Sequence, residues 1–335
     1  MRVFEIKKFG IESLAPAVRP TPSPGPGQAL VRVAAASLNY RDLLTVQGAY
    51  NPKQSLPLVP LSDGAGEVIA VGDNVSRVKV GDRVAGIFAQ KWLAGEPGLS
   101  ARTSTLGGPL DGMLAEHVVL HEDGLVKLPD HLSLEEAATL PCAAVTAWNA
   151  LITKGGLKAG DTVLVQGTGG VALFALQFAR LSGARVIITS SDNDKLARAL
   201  ELGASEGINY KESPDWDKRV LELTGGAGAN HIIEVGGADT LGKALNAVRT
   251  GGVISVIGIL GGATTPVDVR SILMKSVRLQ GIFVGPREIF ETMNQAIALH
   301  KMRPVIGRVF GFEDSPKAFS YLQSGQHFGK IVIRL

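Results

Sequence analysis

The spacing of hydrophobic positions changes character along this chain. In the first third, apolar and polar residues alternate in short runs, as in ALVRVAAASL (29–38) and GEVIAVG (66–72). Pro/Gly/Asp turns such as PTPSPGPGQ (20–28) and VKVGDRV (78–84) separate them. That alternation and punctuation predict short strands of a β-rich region. The stretch KWLAGEPGLSARTSTLGGPLDG (91–112) has neither helical nor strand period. It is expected to be a long ordered loop, and such loops inside compact domains are more often functional than incidental.

From residue 133 the pattern turns helical. Ser133 and Glu136 have the spacing of a capping box and open a helix with a small-residue face, interrupted at Pro141. Beyond it, TVLVQG (162–167), RVIITS (185–190), HIIEVG (231–236), VISVIGI (253–259) and RLQGIFV (278–284) alternate with helical segments. Strands apolar on both faces, alternating with helices, predict a parallel, doubly wound sheet. The chain closes with a helix around 286–300 and the β-like segments VIGRVF and KIVIRL. KIVIRL resembles the first third, so both chain ends are expected in one domain. The fold class is therefore α/β, with a β-rich domain (1–130 and 276–335) and a doubly wound parallel-sheet domain (131–275).

Composition narrows the function. A chain of 335 residues suggests two domains, and 45% hydrophobic with 19% charged residues allows sizeable cores. The net charge is +3, with acids and bases interleaved, which offers no basic face to nucleic acid. The single cysteine, Cys142, excludes an intrachain disulfide and a Cys-rich zinc site and is expected to be a small buried residue. The six histidines show no metal-ligand spacing. No signal-peptide core or membrane-length apolar run is present, so a cytoplasmic protein is expected.

The strongest motif is VLVQGTGGVALFALQFA (163–179): a strand, then Gly167-Thr168-Gly169-Gly170-Val171-Ala172, then a helix. It fits the dinucleotide fingerprint in its required setting, with backbone N–H groups meeting a pyrophosphate at the helix N-terminus. The next strand ends in Ser190-Ser191, and Lys195 follows. Hydroxyls and an ammonium there suit a 2′-phosphate, and Tyr210 is placed to reach the same pocket. NADPH is the expected cofactor, with Asp192 and Asp194 read as starting the next helix.

GDRV (81–84), DGMLAEHVVL (111–120), AATLPCAAVTAW (137–148), VQGTGGVA (165–172) and RTGGVISVIGILGG (249–262) together resemble a medium-chain dehydrogenase/reductase over essentially the whole length. The resemblance implies a GroES-like substrate domain around a Rossmann domain, and a homodimer joined through Rossmann sheet edges. Asn39-Tyr40-Arg41-Asp42 and Gln47-Gly48-Ala49-Tyr50 are most similar to zinc-free quinone oxidoreductases and enoyl reductases. Zinc-dependent relatives carry Cys at the position of Asn39 and Gly-His-Glu at Leu61-Ser62-Asp63, with a third ligand matching Cys142. One thiolate cannot hold a catalytic zinc, so no metal is expected. Asp63 is then read as orienting Asn39 or Ser62, or as a turn residue before Gly64.

By the same resemblance, Tyr50 is the first choice for proton or hydrogen-bond donor, with Tyr40 its competitor and a packing aromatic the alternative. Asn39, Thr146, Gly258, Phe283 and Val284 are expected near the cofactor, and Trp92 either over the substrate or over core. The implied activity is hydride transfer from NADPH to a quinone or an α,β-unsaturated carbonyl. Two rivals stay open. One is a zinc-free alcohol dehydrogenase or carbonyl reductase relaying protons through Tyr50 or Ser62; the other is a non-catalytic NADPH-binding protein.

Overall fold

A computed structural model describes residues 1–335. The chain divides into two compact units: residues 1–145 with 284–335, and residues 146–283.

The first unit is β-rich. Its strands are β1 (Arg2–Ile6), β2 (Leu14–Val18), β3 (Gln28–Ser37), β4 (Asp63–Val71), β5 (Arg83–Gly86), β6 (His117–His121) and β7 (Leu125–Lys127). After the six strands of the second unit it regains β14 (Ile306–Gly311) and β15 (Lys330–Arg334). One sheet runs in the order β14-β15-β3-β4-β5-β7, with β6 also on β3; β1 and β2 form a hairpin. Alternation in β3 and β4 turns Val31, Val33 and Val68 onto a core that includes Phe4, Leu61, Met113 and Phe319. The C-terminal strand β15 lies antiparallel to β3, pairing Val332 with Ser37, so the two chain ends share this sheet.

The second unit holds β8 (Thr162–Gln166), β9 (Arg185–Ser190), β10 (Glu206–Asn209), β11 (Ala229–Glu234), β12 (Val248–Val256) and β13 (Arg278–Gly281). They form one parallel sheet in the order β10-β9-β8-β11-β12-β13, buried through residues such as Leu164, Ile187, Ile232 and Ile254. Chain order reverses between β8 and β11, the switch point where open α/β sheets bind ligands at the strands' carboxyl ends.

The unit boundaries fall at 145/146 and 283/284, later than the expected 130/131 and 275/276. Residues 131–145 are held by the β-rich sheet. Ser37 Oγ donates to Ala138 O at 2.9 Å, and Arg334 pairs with Glu135. At the other boundary β13 pairs in register with β12, Arg278 opposite Val253, which keeps it in the second unit.

The helices are α1 (Tyr40–Val46), α2 (Leu99–Arg102), α3 (Leu134–Ala137), α4 (Val145–Trp148), α5 (Gly170–Leu181), α6 (Asn193–Glu201), α7 (Trp216–Leu223), α8 (Leu241–Ala247), α9 (Val269–Lys275), α10 (Arg287–His300) and α11 (Ser315–Gln323). The Ser133/Glu136 capping box forms at the start of α3. The helix expected to run on from it with an interruption at Pro141 passes through wider π-type turns at 140–144, which contain Pro141, and again at 149–153. Pro141 lacks the N–H that a regular helix would use there. The 91–112 segment is a loop carrying one helical turn, α2. Trp92 is buried, its indole N–H on Gly95 O at 3.0 Å, which makes it core of its own unit.

Candidate active site

In the second unit, β8 ends at Gln166 and turns at Gly167, whose φ of 75° is a left-handed value that glycine adopts without strain. A Cβ at Gly167 would meet nothing within 4 Å, so the turn leaves open space beside its backbone. Helix α5 starts at Gly170 behind Gly169, which supplies no side-chain cap. Its first N–H groups therefore have no side-chain acceptor at the cap, as anion-binding helix ends require. Thr168 is buried, while Gly170 and Val171 are partly exposed. A nicotinamide dinucleotide fits this cradle through its pyrophosphate.

Two further residues shape the same end of the sheet, and the sequence reading missed both. Gln166 Nε2 donates to Glu234 Oε2 at 2.6 Å, tying β8 to β11. Glu234 Oε1 accepts the N–H groups of Gly236 and Gly237 at 2.9 Å each, and Gln166 Oε1 accepts those of Val235 and Gly236 at 3.2 Å each. A Glu at the end of an apolar strand, two residues before a second Gly-Gly turn, was the available signal. Gly258 lies against this turn: a Cβ there would come within 2.4 Å of Val235 O, so its small size serves backbone packing.

Ser190 and Tyr210 end neighbouring strands, with Asn209 opposite Ser190 and the Tyr210 N–H on Ser190 O at 3.0 Å. Ser191 follows, and Lys195 lies in the first turn of α6. The Asp192 carboxylate caps α6, accepting the Lys195 N–H at 3.1 Å. Burial draws the Lys195 ammonium below its usual range; Asp192 opposes this and Arg198 adds to it. The structure thus brings Ser190, Ser191, Lys195 and Tyr210 to one corner of the sheet. Thr146 is buried at the start of this unit, and Phe283 is its last residue. Val284, first of the returning β-rich segment, has φ 47°, a strained value for a β-branched side chain.

The β-rich unit carries the polar cluster. Asn39 precedes α1, and its N–H donates to Asp42 Oδ2 at 2.8 Å. Asp42 Oδ1 accepts the Ser62 N–H at 3.2 Å. Leu61, with φ 74°, turns the chain so that Ser62 and Asp63 face inward. Ser62 Oγ donates to Asp63 Oδ1 at 2.9 Å, and Asn39 Nδ2 points at Ser62 Oγ at 3.4 Å. The Cys142 N–H reaches Asp63 Oδ2 at 3.4 Å from the π-type turn.

A residue that sequence reading did not single out completes the cluster. Lys330, 3% exposed, donates from Nζ to Leu38 O at 2.7 Å and Asn39 Oδ1 at 2.6 Å, and lies 3.5 Å from Asp63 Oδ2. Burial pushes the Asp63 carboxyl up. The Lys330 ammonium, the Asn39 and Ser62 side chains and the Cys142 N–H pull it back. Burial also pushes Asp42 up to about 6, with Arg41 opposing and Asp63 adding to the rise. Ser62 and Asp63 are wholly buried in their unit, whereas Asn39 is partly exposed, as is Cys142, which was expected to be buried.

Tyr50 is 47% exposed, its ring 5.1 Å from the Arg41 guanidinium, which lies equally close to Phe88 at 5.2 Å. Arg41 donates to Leu106 O at 2.6 Å and Thr105 Oγ1 at 3.0 Å, and to Gly108 O, so it fastens α1 and Tyr50 to the 91–112 loop. Tyr40 stands exposed at the first position of α1.

Residues 25–130 match the alcohol dehydrogenase GroES-like domain, and residues 170–299 match the zinc-binding dehydrogenase family. A zinc-type alcohol dehydrogenase-like protein of Schizosaccharomyces pombe is 43% identical, over 97% of this chain and 96% of its own. The chain belongs to the medium-chain dehydrogenase/reductase superfamily. Within the superfamily, quinone oxidoreductase-like protein 2 of Bos taurus is 30% identical over 94% of this chain and 87% of its own. The crystal structure of an NAD-dependent alcohol dehydrogenase superposes with TM-score 0.92 at 34% identity, covering 100% of both chains. The crotonyl-CoA carboxylase/reductase AntE in complex with NADP superposes with TM-score 0.88 at 25% identity, covering 100% of this chain and 94% of its own. The protein is thus an oxidoreductase of the superfamily, built to use a nicotinamide cofactor.

The zinc in the family's description does not fit the residues present here. Asn39 Oδ1 accepts from an ammonium and the Ser62 hydroxyl is turned to Asp63, which leaves Cys142 as the one thiol a zinc could meet, one ligand where about three are needed. No group of three or more His, Cys, Asp or Glu is placed to hold a metal ion.

Proposed function

We propose that this protein is a zinc-independent, NADPH-dependent reductase of quinones or α,β-unsaturated carbonyls. The observation that carries the reading is the donor set at the former metal position. There the partly exposed Asn39 amide, its oxygen held by the Lys330 ammonium and with the Ser62–Asp63 pair behind it, supplies a hydrogen-bond donor in place of a Lewis acid. Such a site favours an acceptor already activated by conjugation, whose developing charge hydrogen bonds can meet.

When bound, the cofactor supplies the hydride. The glycine turn and α5 hold its pyrophosphate, and Ser190, Ser191, Lys195 and Tyr210 are the residues for a 2′-phosphate. The turn of Asp192 into its helix cap supports NADPH over NADH. In this reading the Asn39 amide meets the charge that develops on the acceptor's oxygen, and the Tyr50 hydroxyl delivers the proton. Ser62, Asp63 and Asp42 act behind Asn39 by fixing its position, and Tyr40 lines the approach.

The bovine quinone oxidoreductase-like relative and the NADP-bound carboxylase/reductase support this assignment; relatives named alcohol dehydrogenase keep simple aldehydes and ketones as the second reading. No helix is long and apolar enough to cross a membrane, and we propose a cytoplasmic homodimer.

The test is NADPH oxidation by chelator-treated protein with a quinone, an enone, an enal and a simple ketone, and NADH as control. Turnover of the conjugated acceptors, unchanged by chelation and favouring NADPH, is expected. Turnover of the ketone alone, or activity lost with metal, overturns the reading.

A further inference from the structure

Lys330 stands at the start of the last strand, nearly three hundred residues along the chain from Asn39. Burying an ammonium is costly unless every proton finds an acceptor. Here the three acceptors are Leu38 O, Asn39 Oδ1 and, at 3.5 Å, Asp63 Oδ2. An ammonium has only donors, so the atom of Asn39 at 2.6 Å must be the carboxamide oxygen. That settles the orientation of the amide. Its nitrogen carries two N–H groups: one is directed at the buried Ser62 Oγ, at a long 3.4 Å, and at Asp63, which leaves the second for the acceptor. A positive charge on the amide oxygen also draws electron density through the C–N bond and makes the N–H groups stronger donors.

We infer that Lys330 is a positioning residue for the reduction: through Asn39 Oδ1 it fixes the carboxamide with its N–H side toward the acceptor's oxygen and strengthens that donor. This rests on the proposed role of Asn39. As hydride forms the new C–H bond at the β-carbon, the C=C electron pair moves onto the carbonyl oxygen. The cofactor is oxidised and the acceptor reduced. The charge on that oxygen is met by the second Asn39 N–H until the α-carbon takes its proton. A purely structural lysine, tying β15 to α1, predicts lost stability and no particular tie between the kinetic effects at residues 330 and 39.

The test is a double-mutant cycle on kcat at saturating NADPH, with Lys330→Met, Asn39→Leu and the pair. Each protein's fold is checked by circular dichroism and thermal unfolding. Each single change is expected to lower kcat about tenfold or more, the scale of one lost transition-state donor, with KM for NADPH unchanged. The pair is expected to fall no lower than Asn39→Leu alone, because Lys330 acts through that residue. Lys330→Gln keeps an N–H for Asn39 Oδ1 and is expected to recover most of the loss. Multiplying effects in the pair, or a folded Lys330→Gln no better than Lys330→Met, overturns the inference. If Lys330→Met does not fold, Lys330→Ala, which removes the same donor, carries the same cycle. If the wild-type protein reduces ketones and leaves enones untouched, the acceptor assignment fails. The cycle is then read on the ketone, whose charge also develops on oxygen, so the two failures are told apart.

Discussion

At the scale of the residue, Tyr50 and Asp42 make opposite kinds of claim. Tyr50 is exposed and braced by Arg41, so Tyr50→Phe keeps the ring and its cation–π contact and loses only the hydroxyl. If that hydroxyl delivers the proton, kcat on an enone falls about 100-fold while KM for NADPH holds, as steady-state kinetics will show. A packing aromatic leaves kcat unchanged. Asp42 concerns stability. Burial raises its carboxyl from 3.8 to about 6, so the folded protein binds this proton more tightly than the unfolded chain. The contribution of Asp42 to stability is therefore largest at low pH. It falls as pH rises from about 4 to about 6 and is level above, by up to about 3 kcal/mol in total. Asp42→Asn abolishes that titration and loses one of two accepted N–H bonds at every pH. Urea unfolding should show the variant gaining on wild type across that window and parallel to it above. A constant difference from pH 4 to 8 would show that Asp42 does not titrate there.

At the scale of the element, what the sequence disclosed and what it hid have physical reasons. The glycine turn, the alternating strands and the Ser133 capping box each depend on residues a few positions apart, and local spacing reveals them. Lys330 beside Asn39 and Glu234 beside Gln166 depend on strand order, which no local pattern encodes. The π-type turns were hidden because a small apolar face suits a regular helix equally well. The corner formed by β9, β10 and α6 makes its own prediction. Lys195→Ala removes a cation that we propose for a 2′-phosphate, and a charge-assisted hydrogen bond lost there is expected to raise KM for NADPH about tenfold. KM for NADH should hold. Equal effects on both cofactors would place Lys195 outside the discriminating contact and remove the main support for NADPH.

At the scale of the whole molecule, both chain ends meet in one sheet while the second unit leaves a sheet edge and a helix uncovered. Strand β13 pairs only with β12, and α9 beside it has no buried residue although it carries Val269, Leu273 and Met274, each more than 70% exposed. Leu279 of β13 is itself 37% exposed. An open edge with an apolar helix alongside is a surface that single chains avoid. We propose that a second copy covers it, two β13 strands related by a twofold axis pairing to continue the sheet and each α9 meeting its partner's apolar face. Sedimentation should therefore give twice the chain mass of 35.1 kDa for the wild-type protein. Leu273→Glu, which sets a charge on an already exposed position, should give one chain mass with an unchanged far-ultraviolet spectrum. Because the cluster of Asn39, Asp63 and Lys330 lies wholly in the β-rich unit, the proposed active-site chemistry does not require this face. A wild-type protein that sediments as a single chain, or a Leu273→Glu variant that remains double, removes α9 from the interface.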